Sequence, residues 1–202
     1  MEDIAVQTNN ALNFVKKLYV EISYLIKEVE MLLLEEDERF IILKTGGYSI
    51  TARTSTSLES YGVDMWMPKE MSVFFSPEEF IDDSKGQTST IINPNLKILF
   101  IRLNLIDSDI DQPKIYLGYI TKIKSIKGDI KKVEHMIWEF SYNVNKIFTQ
   151  PGIIKYEDSR FYFEGKYIMK NLLSINSSED VKKKIIDPLL LMYREKDKSF
   201  KG

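Results

Sequence analysis

Between Ala11 and Leu33 the apolar residues recur at intervals that only a helix brings to one side. Ala11, Val15, Leu18, Ile22, Leu25, Val29 and Leu32 follow one another in alternating steps of four and three, the heptad spacing of an amphipathic helix. One seam carries the β-branched Val15, Ile22 and Val29, the other Ala11, Leu18, Leu25 and Leu32. Parallel two-stranded coiled coils favour that arrangement. A third row, Leu12, Tyr19, Ile26 and Leu33, is apolar as well, so the stripe is wider than a coiled-coil seam and suits a helix lying on a sheet. The pattern predicts a helix over residues 8–36 with two uses. The Leu12, Tyr19, Ile26 and Leu33 side packs on the chain's own domain, and part of the Val15, Ile22, Val29 seam meets a second copy. Val15, Leu18, Ile22, Leu25, Val29 and Leu32 are therefore the expected interaction residues of a homodimer.

Beyond "EEDER" the period drops to two. "RFIILKTGGYSITAR" reads as a β-hairpin, with a strand over residues 40–43, a turn at Gly46 and Gly47, and Tyr48, Ile50 and Ala52 alternating with polar neighbours. Short strands are expected in "VDMWMP" and "MSVFF", separated by Pro68. "SPEEF" carries the marks of a helix start, with Ser76 as cap, Pro77 in the first turn and Glu79 closing a capping box. "DDSKGQTST" is the most loop-like segment. Longer strands follow over residues 96–106 and 114–122, then an amphipathic helix capped at Asp129 with Ile130, Val133, Ile137, Phe140, Val144 and Ile147 on one face. Further on, "GIIKYE" and "RFYFEGKYIM" read as strands around the turn "EDSR". A helix capped at Ser177 or Ser178 comes last, and Asp187 and Pro188 should interrupt it, giving either a kink or two short helices, because proline lacks a backbone donor and disfavours helical geometry in the preceding residue.

The whole reads as α+β: an antiparallel sheet of five to six strands flanked by two long amphipathic helices, with a C-terminal β-hairpin and helix. Residues 1–202 are expected to form one domain, with residues 151–202 as a smaller unit within it.

Composition narrows the functional classes. With 44% hydrophobic content, 202 residues can bury a sizeable core. A net charge of -2, from 28 basic and 30 acidic residues, gives no electrostatic footprint for non-specific nucleic-acid binding or for an anionic membrane. The chain has no cysteine, which removes disulfides, thiolate nucleophiles and cysteine-ligated metal centres together. "MEDIAVQTNN" is acidic and polar where a secretory signal is basic and then apolar. The strongest apolar run, "LKILFIRLNLI", contains Lys97 and Arg102 and falls short of the ~20 residues of a spanning helix. A cytoplasmic protein without a membrane segment is the expectation.

Candidate chemistry is sparse. Asp107, Asp109 and Asp111 have the alternation of a calcium loop, but Gln112 stands where the loop needs glycine and Gly118 where it needs a bidentate glutamate. Glu164 and Lys166 form the acid-then-lysine pair of metal-dependent nucleases, in which a carboxylate holds Mg²⁺ and the lysine steadies the attacking water or the phosphate. That chemistry needs a further acid, and Asp107, Asp111 and Asp158 are the candidates. His135, the only histidine, has no nucleophile-elbow serine to serve. "KTGGYS" lacks the frame of a phosphate-binding loop and sits between strands. Tyr48, Trp66, Phe74, Phe75, Tyr116, Tyr119, Phe161, Phe163 and Tyr167 fall on expected strands, where core filling is the first expectation and a sheet face that stacks bases or lines a small-molecule pocket the other, and Trp66 and Trp138 are expected inside.

Every catalytic constellation thus lacks a required member. The expected function is that of a non-catalytic regulatory or protein-interaction protein, self-associating through the N-terminal helix as a homodimer, without a cofactor and open to a protein partner. The alternatives are a metal-dependent nuclease or phosphodiesterase using Glu164 and Lys166, and a small-molecule sensor with an apolar pocket behind the sheet.

Overall fold

The computed structural model describes residues 3–45, 48–52, 54, 58–59, 67–82, 89–105, 112–126, 128 and 132–195. Its centre is a seven-stranded antiparallel sheet. The strands are β1 (Phe40–Ile42), β2 (Thr51–Ala52), β3 (Glu70–Pro77), β6 (Ile98–Asn104), β7 (Lys114–Ser125), β8 (Ile153–Glu157) and β9 (Phe161–Asn171). They lie in the order β1-β3-β6-β7-β9-β8, with β2 also on β3. A separate two-stranded ribbon joins β4 (Ile81–Asp82) to β5 (Ser89–Thr90), so both ends of the expected "DDSKGQTST" loop are strand.

Every residue of β6 is buried, because helices cover both faces of the sheet. On one face α1 (Ile4–Leu34) sets Ile22, Ile26, Val29 and Leu33 against Val73, Phe75, Leu99 and Ile101. The C-terminal helix adds Ile185 and Leu189 to the same layer. On the other face α2 (Val133–Tyr142) packs Val133, Ile137 and Phe140 on Phe74, Phe100, Ile120 and Phe163. Alternate residues of each strand thus serve opposite cores, as a period of two requires. The Phe140 ring meets the Phe74 ring edge-on, with centroids 5.2 Å apart. Strands β7 and β9 approach so closely that a Cβ at Gly165 would collide with the Tyr119 carbonyl, and one at Gly118 with the Lys166 carbonyl and the Phe100 ring.

Several elements differ from the sequence reading. Helix α1 begins at Ile4 rather than near Thr8, capped by the Asp3 side chain, which accepts from the Ala5 N–H. The hairpin expected across Gly46 and Gly47 does not pair strand with strand: β1 and β2 both pair with β3, end to end along one edge, Ile42 opposite Phe75 and Thr51 opposite Ser72. Gly46 and Gly47 lie outside the described residues, and the isolated bridge Thr45 to Tyr48 joins the residues on either side of them. The eight-residue edge of β3 is long enough for both segments, and each gains a ladder on a strand that is itself buried. Ser76 and Pro77 do not open an α-helix; β3 runs through them, and Glu78–Phe80 makes one 3₁₀ turn.

Helix α2 has Lys132 at its N-cap, the proposed cap Asp129 lying outside the described residues, and it breaks at Asn143 before a single turn, α3 (Val144–Ile147). The expected long second helix is therefore two short ones. Trp138, expected inside, is exposed and stacks on Tyr142, one turn along the outer face of α2. Trp66 lies outside the described residues. The expected C-terminal hairpin is present, and its strand β9 pairs with β7 along most of its length, so it completes the main sheet.

The α-helix is interrupted ahead of Pro188, as two short helices, but the helical run continues between them. α4 (Ser178–Val181) and α5 (Asp187–Arg194) are joined by one π-helical stretch, Lys182–Ile186, in which the Asp187 N–H reaches back to the Lys182 carbonyl. The wider turn absorbs the crowding and the missing donor that proline brings. Ser177 caps α4 as expected, accepting from the Asp180 N–H.

Candidate functional site

The two halves of α1 differ in what covers them. From Ile22 onward its stripe is buried in the chain's own core, with Ile22 at 4% exposure and Val29 at 0%. This corrects the expected division of labour, in which part of the Val15, Ile22, Val29 seam faces a second copy, because Ile22 and Val29 are taken up inside the monomer. Leu25 and Leu32 are half-buried against the same core. They lie beside that row, so the sheet takes up most of the stripe's width. Tyr19, expected on the inner side, does anchor there: its hydroxyl donates to the Pro68 carbonyl at 2.9 Å.

Before Leu18 the helix is largely uncovered by the described residues. No side chain from Ile4 to Lys17 is buried, and Val15 alone is half-covered. Ile4 is 79% exposed, Leu12 64% and Phe14 68%. Leu12, expected on the inner side, is thus on the outside with the rest of this arm. In heptad terms Ile4, Ala11 and Leu18 share one core row and Thr8 and Val15 the other, with Leu12 and Phe14 flanking them on either side. Ile4 and Phe14 were missed in the sequence. Ile4 continues the row seven residues before Ala11, a signal that was there to find, whereas Phe14 lies off the stripe and becomes a flank only once the seam is known to be bare.

Of the acid-and-lysine candidates, Glu164 sits in a second cluster with Lys122 and Tyr162, on the sheet face that α1 shares. Glu164 Oε2 sits 2.7 Å from Lys122 Nζ, and the Tyr162 hydroxyl donates to Glu164 Oε1. Lys122 is brought there by a β-bulge, where the β7–β9 register shifts between Thr121 and Lys124 and Lys122 takes a φ of 53°. A bulge re-aims its side chain in this way, and no period-two reading of β7 announces it. Burial pushes the Glu164 carboxyl up, but the hydrogen bonds from Lys122 and Tyr162 and the charges of Lys122 and Lys155 outweigh it, leaving the group below its ordinary range. The bond to Glu164 raises the Tyr162 hydroxyl to about 12, with help from burial.

Lys166 turns the other way along the strand, toward Glu195 at 3.5 Å. Asp158 is used by its own turn: Oδ1 accepts the N–H groups of Arg160 and Phe161 at 2.7 Å each, and Oδ2 accepts the Tyr156 hydroxyl at 3.1 Å. Asp107 and Asp111 lie outside the described residues. Among the described residues no group of three or more His, Asp or Glu side chains could hold a metal ion. His135 is exposed on α2. Among the described residues no helix is long and apolar enough to cross a membrane.

Phe74, Phe75, Tyr119, Phe161 and Phe163 fill the two cores, Tyr116 and Tyr167 are half-buried beside Phe148, and Tyr48 is exposed. Comparison with protein-family models, curated proteins and solved structures finds no match for this chain.

Proposed function

We propose that this chain is a non-catalytic protein-interaction protein that joins a second copy of itself through the N-terminal half of α1, the two arms running parallel. The observation that carries this reading is the uncovered arm itself: a stripe buried in its own domain from Ile22 onward continues, apolar and bare, for about four turns before it.

Two physical arguments support a partner. A helical segment of this length gains little from its own hydrogen bonds in water, and Thr8, Asn9, Asn10 and Asn13 are poor helix formers. Pairing would also cover Ile4, Leu12 and Val15 of both chains, and six such side chains contribute on the order of 10 kcal/mol. Association costs roughly 4–15 kcal/mol in lost freedom. A dimer of moderate affinity follows, in which the arm does most of the joining.

Sedimentation at micromolar concentration tests the reading. Wild type should exceed the 23.6 kDa of one chain, and Leu12→Glu should lower the average mass while leaving the circular dichroism of the folded domain unchanged. A wild-type mass of one chain at every concentration would sink it.

A further inference from the structure

Strand β8 is the last strand of the sheet, and among the described residues nothing pairs with its outer edge. Its inner edge can be read from the ladder. The Tyr167 N–H donates to the Gly152 carbonyl and the Asp158 N–H to the Phe161 carbonyl, while Ile154 lies opposite Gly165 and Tyr156 opposite Phe163. In an antiparallel pair hydrogen-bonded positions alternate. Ile154 and Tyr156 therefore turn their backbone groups toward β9, and Lys155 and Glu157 turn theirs outward. The Ile153 N–H is already taken by the Gln150 carbonyl. The open ladder thus consists of the N–H and C=O groups of Lys155 and Glu157, and both side chains are exposed.

We infer that β8 is a docking edge for the β8 strand of a second copy, in one register: antiparallel, with a two-fold axis at Tyr156, so that Lys155 of each chain faces Glu157 of the other. Unpaired edges are commonly guarded by lysine, which repels a like strand. Here the guard is self-complementary. Sliding the pair by two residues in one direction sets Lys155 against Lys155, and in the other Glu157 against Glu157, both unfavourable across a strand pair. Only the intermediate register matches opposite charges twice. That same register makes Lys155 and Glu157 a hydrogen-bonded pair, so four backbone bonds form about the axis.

This surface is separate from the arm. α1 packs toward β1, at the other end of the strand order. Two self-complementary contacts on different surfaces, used in alternation, string chains into an open array rather than a closed pair.

The test is sedimentation of full-length variants at concentrations up to about 1 mM, the range that populates weak contacts. Leu12→Glu silences the arm, and it should still form a two-chain species at the upper end. Adding Lys155→Glu to it, which sets Glu against Glu157, should leave one chain. Reversing both charges, Lys155→Glu with Glu157→Lys, should restore the two-chain species. A single-chain mass for Leu12→Glu throughout overturns the edge contact and leaves the arm untouched. A two-chain mass that ignores Lys155→Glu overturns the register. Loss of association in Lys155→Glu alone, with Leu12→Glu unaffected, would instead remove the arm.

Discussion

Leu12 and Ile26 stand two heptads apart on one row of α1, and only the second is covered: Ile26 is 6% exposed on the sheet while Leu12 is 64% exposed. The same row of the same helix thus does two things. The sequence can mark the row as apolar, but where the sheet beneath it ends depends on the placement of β3 and β6, which α1 does not encode.

That relationship separates stability from association. Ile26→Ala should cost about 2–5 kcal/mol, because it empties a packed site. Leu12→Glu should stay within about 0.5 kcal/mol of wild type, as exposed substitutions do. Urea denaturation at low protein concentration checks both, and an equal loss from the two changes would contradict the uncovered arm.

Arg102 is a buried cation on β6, with its guanidinium 2.5 Å from Glu70 Oε2 and a hydrogen bond of 3.2 Å to Ser72 Oγ. The contact to Glu70 is a charge pairing rather than a well-directed hydrogen bond. Removing the acid strands the cation, whereas removing the cation leaves Glu70 able to turn to solvent. Glu70→Ala should therefore destabilise by about 2–3 kcal/mol, discounted for the partial exposure of Glu70, and more than Arg102→Met. The double variant should recover most of the loss, and a strictly additive result would argue against the pairing.

Two glutamates give opposite pH dependence. The folded-state Glu164 carboxyl lies below its ordinary 4.5, so its contribution is present above that pH and lost on further acidification. Glu164→Gln should be the less stable protein at neutral pH, with the gap closing in acid. Glu134 is shifted upward, chiefly by burial, against the opposing hydrogen bonds of its own and the Thr90 backbone and the charges of Lys132 and His135. Its contribution is fully present below 4.5 and lost as pH rises through the folded value. Glu134→Gln should accordingly gain on wild type at neutral pH, since a glutamine oxygen still accepts the Thr90 N–H. Denaturation midpoints at neutral and acid pH decide both signs.

Glycines at positions 165 and 128 fail for different reasons. Gly165→Ala forces a methyl into the Tyr119 carbonyl across two paired central strands and should cost on the order of 3 kcal/mol. Among the described residues nothing lies within 4 Å of a Cβ at Gly128, but its φ is 70°, so Gly128→Ala should cost about 1 kcal/mol from backbone strain. A thermal-melt comparison giving the reverse order would contradict the β7–β9 packing.

Periodicity made the class, the antiparallel sheet, α1 and the C-terminal strands legible, because each depends on spacing within one segment. Pairing did not show. Phe40 and Thr51 sit on either side of Gly46 and Gly47, and only the length of β3 decides that both join it rather than each other. Pro188 marks the interruption of the last helix, but the sequence does not show that a π turn carries the helical run through it. At the candidate sites, Glu164 and Lys166 were visible as a pair, but their real partners, Lys122 from a bulge and Glu195 from the end of α5, come from other elements.

The chain contains no cysteine, which makes the arm contact directly testable. In a parallel pair, Ala11 lies in the seam beside its own counterpart, close enough for a disulfide, while Asn13 points away. Under mild oxidation at micromolar concentration, Ala11→Cys is expected to run on a non-reducing gel at twice 23.6 kDa and Asn13→Cys at 23.6 kDa. Covalent dimer from neither position, or from both equally, would contradict association through the arm of α1.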